Sequence, residues 1–352
     1  MQRNLDRMAT HVRSLGVPLR PHVKTGKSIP IALAMCGGAP GPITVSTLAE
    51  AEACFAAGFR DVLYAVGLPP NKLPAVQALR ARGCDLSVLI DNVEAARAIA
   101  ACRAAIPTLV EIDSDDHRAG VRPDAPELLA IAAVLRDGAE LRGVMTHAGG
   151  SYDCRTAAAI AAMAEQERAA VVRASERLRA AGHRCPVVSV GSTPTATFAR
   201  DLRGVTEVRA GVHVFMDLVM AGLGVCRLDD LALSVLVSVI GHQRDKHWLV
   251  TDGGWMALSR DRGTSGHPED RAYGLVCDVH GHPLDLVVAH TNQEHGLVAR
   301  ADGGAFDLDR FPAGTLLRVL PVHACATAAQ HDGYHVLRDG TVAARWPRFR
   351  GW

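Results

Sequence analysis

Eight short runs of β-branched and aliphatic residues lie between residues 17 and 212, most of them separated by Ala-rich stretches with helical spacing. The strand candidates are residues 17–24, 43–48, 62–66, 86–90, 109–113, 141–147, 187–190 and 207–212. Segments between them, such as 48–57, 92–105 and 155–181, are amphipathic, and the last is rich in Ala, Glu and Arg, which are strong helix formers. A strand followed by a helix and another strand needs a crossover connection, so the alternation dictates a parallel sheet. Eight such units predict a closed (β/α)8 TIM-type barrel, with an open doubly wound sheet as the competing arrangement.

Beyond residue 225 the texture changes. Residues 232–240, 248–250, 284–289 and 315–320 are β-rich, separated by Gly, Pro and Asp, without helical period. This predicts a second, mainly antiparallel β domain over 225–352, following the barrel of residues 1–224. A chain of 352 residues, 48% hydrophobic and 21% charged, is ordinary for a soluble enzyme with a substantial core. A net charge of +1 gives no reason to expect nucleic acid or membrane as a partner. No apolar run reaches the ~20 residues of a membrane span, and the first residues carry no signal-peptide core. Nine scattered cysteines argue against a disulfide framework and for a reducing cytoplasm.

Barrel enzymes place chemistry at the C-terminal ends of their strands, and here those positions carry polar groups. The first strand ends in Pro21-His22-Val23-Lys24. A lysine at a barrel mouth with a phosphate cradle further along suggests Schiff-base chemistry with pyridoxal phosphate, although a lysine alone is a solvated charge. Strand five runs through Glu111-Ile112-Asp113 towards His117-Arg118-Ala119-Gly120, and strand six ends at His147, followed by Gly149-Gly150-Ser151-Tyr152. Arg118 reads either as a surface ion-pair residue or as a donor to a pyridoxal phenolate. Tyr152 reads as a packing residue, a ring contact or a proton donor. Gly191-Ser192-Thr193 after strand seven suits a phosphate, since glycine allows close backbone approach and two hydroxyls donate. The same triplet also reads as a helix N-cap.

In the second domain His323-Ala324-Cys325 stands out. On an extended segment two such side chains project to one side and can chelate a borderline metal, with zinc the natural choice. Two protein ligands leave positions open for water or substrate, a catalytic arrangement.

Together these residues resemble the fold-type III pyridoxal phosphate enzymes of the D-threonine aldolase and D-serine dehydratase family, whose barrel is alanine racemase-like. The likeness spans nearly the whole chain. Arg20-Pro21-His22-Val23-Lys24-Thr25 looks like the cofactor-lysine motif and Val190-Gly191-Ser192-Thr193-Pro194 like the phosphate motif. Phe215-Met216-Asp217, Glu111-Ile112-Asp113 with Arg118 and Gly120, and His323-x-Cys325-x-Thr327 also agree. There are two departures. Gly26 follows Thr25 where the family usually has His, and the chain opens on a helix-like stretch at 5–15 where relatives have a preceding strand. The second departure leads to the expectation of a shortened or mis-assigned start.

The resemblance implies that Lys24 holds pyridoxal phosphate, that His323 and Cys325 bind a divalent metal, zinc or manganese, and that Arg209 partners the pyridine nitrogen. An arginine there would leave the nitrogen unprotonated and the electron sink weak, so that the metal is needed to activate the β-hydroxyl. The plain alternative is a strand-end arginine paired with Glu207. A D-3-hydroxyamino acid would be the substrate. Removal of its Cα proton by Lys24 leads to β-elimination, whereas removal of the hydroxyl proton leads to retro-aldol cleavage. His147, or a metal-bound water, would be a second base, and His147 also reads as structural. The family's dehydratases look like His-x-Cys and its aldolases more often carry Asp, so Cys325 favours dehydration. The resemblance also implies a homodimer, with residues 252–262 as a candidate for inter-subunit or substrate contact. A cofactor-carrier protein would lack the β domain, and a racemase would need a second acid–base residue that is not identified.

Overall fold

The computed structural model describes residues 1–351. They divide into two compact units, one built from residues 4–213 with residue 2 and the returning residues 349–351, the other from 214–348 with residues 1 and 3.

In the first unit α1 (Gln2–Ser14) precedes an alternation of strands and helices. It runs β1 (Leu19–Pro21), α2 (Ile29–Met35), β2 (Ile43–Val45), α3 (Leu48–Ala56), β3 (Asp61–Gly67), α4 (Leu73–Ala81) and β4 (Asp85–Ile90). It continues through α5 (Val93–Ala101), β5 (Pro107–Ile112), α6 (Pro126–Leu135), β6 (Glu140–Thr146), α7 (Ala157–Ala180), β7 (Val187–Val190), α8 (Thr193–Phe198) and β8 (Glu207–Ala210). All eight strands are parallel, in the order β1-β8-β7-β6-β5-β4-β3-β2. A single bridge from His22 to Thr44, with the Val23 amide donating to the Thr44 carbonyl at 2.9 Å, joins β1 to β2 and brings the sheet round into a barrel. The (β/α)8 expectation holds.

Local chemistry fixes where the helices begin. Thr47, Asn92 and Thr156 each accept a hydrogen bond from the amide three residues on, at the starts of α3, α5 and α7. Such caps satisfy one of the orphan donors of a helix N-terminus. They also explain why β2 stops at Val45, short of the expected residue 48: Thr47 is already a cap.

Along each strand the side chains alternate between two interiors. Val62, Tyr64, Val88, Ile90, Val110, Val144 and Val188 join the core between sheet and helices. Leu63, Leu89, Leu109 and Met145 form a separate cluster inside the barrel. Burial on both faces is why these strands read as continuous apolar runs. At the β1–β8 side the interior becomes polar. Arg20 donates to Glu207 at 2.8 Å and pairs with Asp61 at 2.8 Å, and Ser189 donates to Glu207 at 2.7 Å.

In the second unit a short α9 (Leu218–Gly222) leads into a closed antiparallel barrel of six strands. These are β9 (Val235–Gln243), β10 (Trp248–Thr251), β11 (Leu275–Cys277), β12 (Pro283–Thr291), β13 (Gly296–Arg300) and β14 (Leu316–Leu320), in the order β10-β13-β12-β11-β14-β9. Two further helices, α10 (Trp255–Leu258) and α11 (Ala324–Ala328), and a terminal hairpin, β15 (Gly333–Arg338) with β16 (Thr341–Pro347), complete the unit. Val235, Val237, Val239, Leu317 and Val319 point into its core, while the alternating Leu236, Ile240 and Leu316 are exposed. Among the described residues no helix is long and apolar enough to cross a membrane.

Replacing Arg20 by Met should lower the free energy of unfolding by about 3 kcal/mol or more, because it leaves the Glu207 carboxylate buried without its cation. Chemical denaturation measures this directly. An unchanged midpoint would mean that the guanidinium contributes nothing net.

Candidate active site

The inward positions of the barrel strands carry Glu111 and Arg209 in the last residues of β5 and β8, and past the strand ends the same side carries His22, Lys24, His147 and Gly191. Arg209 is 4% exposed. Its Nη1 donates to Ser189 Oγ at 3.0 Å and its Nη2 to the Thr146 carbonyl. The pairing with Glu207 considered from sequence therefore runs through Ser189, which itself donates to Glu207. Burial draws the Arg209 guanidinium below its ordinary value, with Glu207, Glu167 and Glu111 opposing that shift. Glu111 is likewise buried, and burial raises its carboxyl against the pull of Arg118, whose Nη2 lies 3.2 Å from Glu111 Oε1. The Arg118 side chain is 56% exposed, so it is an ion-paired residue with its far edge open to solvent.

Lys24 is exposed at the end of the first strand, with its amide 3.4 Å from His22 Nδ1. Its ammonium acts on two imidazoles. His22 is held well below the ordinary histidine value by burial, then by Lys24, Arg209 and His147. His147 is lowered to about 3, chiefly by burial, with Lys24, Arg118 and Arg209 adding to the effect. Both rings are neutral at physiological pH. His147 Nδ1 lies 3.0 Å from the Gly191 carbonyl, which can only accept, so the proton sits on Nδ1 and Nε2 is left as an acceptor. The half-buried Tyr152 ring lies 6.4 Å from that of His147.

Gly191, Ser192 and Thr193 form the turn into α8. Gly191 has φ +139°, and a Cβ there would lie 1.9 Å from the Arg209 carbonyl oxygen, so only glycine fits. Ser192 is the N-cap, accepting from the Thr195 amide at 3.2 Å while its own amide donates to Thr195 Oγ1 at 3.1 Å. The capping reading of this triplet is thus realised. Thr193 Oγ1, by contrast, is buried without a hydrogen-bond partner, and an anion at this turn would satisfy it.

Beneath the turn lies Glu167 of α7, fully buried, whose Oε1 accepts from the Gly191 amide at 3.0 Å and the Ala148 amide at 3.1 Å. Burial pushes its carboxyl upwards, against hydrogen bonds from Thr195, Gly191 and Ala148. Gly191 is therefore held on both sides: its N–H by Glu167 and its C=O by His147. Glu167 had a sequence signal. The buried stripe of α7 runs Ile160, Ala164, Glu167, Val171, Ala174, Leu178, and a glutamate at the spacing of core residues demands an internal partner.

In the second unit, His323 and Cys325 do not lie on an extended segment as expected. His323 is the N-cap of α11 and Cys325 lies inside that helix. The cause is Asp217, a buried carboxylate whose Oδ2 accepts from the Ala324 amide at 2.9 Å and whose Oδ1 accepts from Met220 at 2.9 Å. That bond satisfies a donor at the start of α11 and lets the chain turn helical there. The two side chains still meet, with the Cys325 thiol in hydrogen-bonding reach of the imidazole. His323 Nδ1 lies 2.7 Å from Asp261 Oδ2. Burial alone would lower the imidazole, but Asp261, Cys325 and Asp217 hold it up to about 11. One nitrogen and one sulfur in an acidic setting suit a borderline divalent cation. Asp261 lies in the 252–262 segment expected to make inter-subunit or substrate contact, and nothing in the sequence links it to His323, 62 residues later.

Comparison with known proteins agrees with both halves of this description. Residues 1–219 match the model of the alanine racemase N-terminal domain and residues 232–337 that of a putative serine dehydratase domain. The chain is 55% identical over 363 residues to D-threo-3-hydroxyaspartate dehydratase of Delftia sp. (strain HT23), covering 100% of this chain and 95% of that protein. The solved structure of that enzyme superposes with a TM-score of 0.97, with the same coverage of each chain. A cysteine-to-alanine variant of it, described as metal-free, gives 0.98 at 54% identity, covering 100% and 95%. D-threonine aldolase of Arthrobacter sp. is 30% identical, covering 97% of this chain and 88% of that protein. The chain belongs to the fold-type III pyridoxal phosphate enzymes with an alanine racemase-like barrel, in the family that holds the D-3-hydroxyamino acid dehydratases and the D-threonine aldolases.

Proposed function

We propose that this chain is a pyridoxal phosphate- and metal-dependent lyase that dehydrates D-3-hydroxyamino acids to a 2-oxo acid and ammonia, with D-threo-3-hydroxyaspartate as the leading substrate. The end-to-end likeness to the Delftia dehydratase carries this reading. Pyridoxal phosphate, when bound, supplies an electron sink for charge developing at Cα.

Lys24 holds the cofactor and, once displaced by substrate, takes the Cα proton on Nζ. Gly191, Ser192 and Thr193 bind the phosphate, a role supported by the unpartnered Thr193 hydroxyl. Arg209 would partner the pyridine nitrogen, and its hydrogen bonds to Ser189 and Thr146 fix the guanidinium plane. Arg118, steadied by Glu111, would donate to the phenolic oxygen. His147 stays neutral and offers Nε2 as a proton acceptor, and Tyr152 flanks it. His323 and Cys325 would hold a divalent cation that supplies Lewis acidity to the departing hydroxyl. The thiolate favours zinc over manganese.

The retro-aldol alternative, giving glycine and an aldehyde, draws support from the likeness to the Arthrobacter aldolase. Cys325, in place of the aspartate more usual in aldolases, weighs against it. The proposal includes a homodimer, for which the outward Leu236, Ile240 and Leu316 offer an apolar face. It also includes a reducing, cytoplasmic setting, consistent with nine cysteines of which none is in a disulfide among the described residues.

Incubated with pyridoxal phosphate, zinc and D-threo-3-hydroxyaspartate, the protein should release oxaloacetate and ammonia in equal amounts, identified by mass and by coupled assay. Glycine with glyoxylate would establish the aldolase reading instead. Lys24→Ala should lose both turnover and the visible absorbance of bound cofactor. Glu167→Ala should weaken cofactor binding about tenfold or more, since two buried amides lose a charged acceptor. Glu167→Gln, whose Oε1 accepts from both amides, should bind nearly as wild type when cofactor is titrated into stripped protein.

A further inference from the structure

The His323-x-Cys325-x-Thr327 box is docked against a second segment, residues 257–263, through side chains at regular intervals. Thr327 Oγ1 donates to the Leu258 carbonyl at 2.7 Å, and His331 Nε2 donates to the Ala257 carbonyl at 2.9 Å. The contact from His323 falls on Asp261, at 2.7 Å. Asp261 is itself fixed from both sides. Its Oδ1 accepts from the Gly263 amide at 2.8 Å, and its own amide donates to Ser259 Oγ at 3.2 Å.

The turn that delivers Asp261 is strained. Ser259 has φ +77° and ψ 169°, a region that residues other than glycine rarely enter, and it is 7% exposed. Its amide donates to the Trp255 carbonyl at 2.8 Å, closing the preceding helical turn. A serine kept in such a conformation is destabilising in itself. A glycine would remove that cost but also the hydroxyl that meets the Asp261 amide. The strain is thus tied to the placement of one carboxylate, and that carboxylate meets the imidazole of the box.

We infer that Asp261 is a positioning residue for the metal centre. It accepts the Nδ1 hydrogen of His323, which fixes the ring orientation and the tautomer whose Nε2 lone pair serves a divalent cation. A metal-binding histidine is commonly held in this way, and loss of the holding group typically costs 10–100-fold in metal affinity. In this arrangement Thr327 binds no metal; it docks the segment that carries Asp261. The inference rests on the reading of His323 and Cys325 as metal ligands.

The test uses the full-length, cofactor-loaded protein stripped by a chelator and titrated with zinc against a chromophoric competitor. Asp261→Ala should weaken zinc binding about 10–100-fold, and Asp261→Asn, which keeps an accepting oxygen of the same shape, should lose much less. Thr327→Val should weaken zinc binding in the same direction. Melting of the metal-free variants, followed in parallel, separates loss of metal from loss of fold, and the isosteric Asn variant reports if the Ala variant does not fold. Zinc binding at wild-type strength by Asp261→Ala, with His323→Ala and Cys325→Ala both defective, would overturn the role of Asp261 alone. Zinc binding unchanged in His323→Ala would overturn the metal reading itself.

Discussion

Inside the barrel, Arg20 and Arg209 face each other as direct partners on β1 and β8. Two guanidiniums in that position repel and are costly to bury, and the fold answers with Glu207, which Arg20 meets directly and Arg209 meets through Ser189. Asp61 takes the other side of Arg20. This chain of charges fills the interior where the aliphatic cluster of Leu63, Leu89, Leu109 and Met145 ends. A purely apolar filling would be at least as stable. The charged one sets a cation rigidly at the centre of the barrel, and the groups at the strand ends are arranged around it.

The same device recurs in both units. Several groups of the two sites are held by a carboxylate from elsewhere in the chain: Arg118 by the nearby Glu111, the Gly191 turn by Glu167, the start of α11 by Asp217, and His323 by Asp261. The histidines near Lys24 are treated differently. They are kept neutral by burial and neighbouring cations, which preserves them as proton acceptors where a charged imidazole would be inert.

The barrel was legible because its strands, buried on both faces, read as apolar runs and alternate with Ala-rich stretches of helical spacing. Strand ends were less so. The sequence carries β1 on to Lys24, yet the strand ends at Pro21 and His22 already bridges to Thr44, and Thr47 reads equally as strand or cap. Lys24, His147, Arg209 and the Gly191 turn could be placed because barrel topology assigns meaning to a strand end. The helix at Ala324 could not, because its cause is Asp217, more than a hundred residues earlier. Gly26 is explained only in three dimensions: a Cβ there would lie 2.9 Å from Ile31 Cγ2, so the side chain of Ile31 fills the space.

Glu167 sits at the eleventh position of α7, and Thr156 fixes where that helix begins. Because each residue advances a helix by about 100°, one residue gained or lost between them would swing the carboxylate off the barrel and leave the Ala148 and Gly191 amides bare. Residues 157–166 need not touch substrate or cofactor to be subject to this; what must be kept is their number. The first half of α7 therefore acts as a ruler, tolerant of substitution at positions other than the buried Ile160 and Ala164 and intolerant of insertion, and length variation among descendants of this chain should be confined to the turns beyond Glu167.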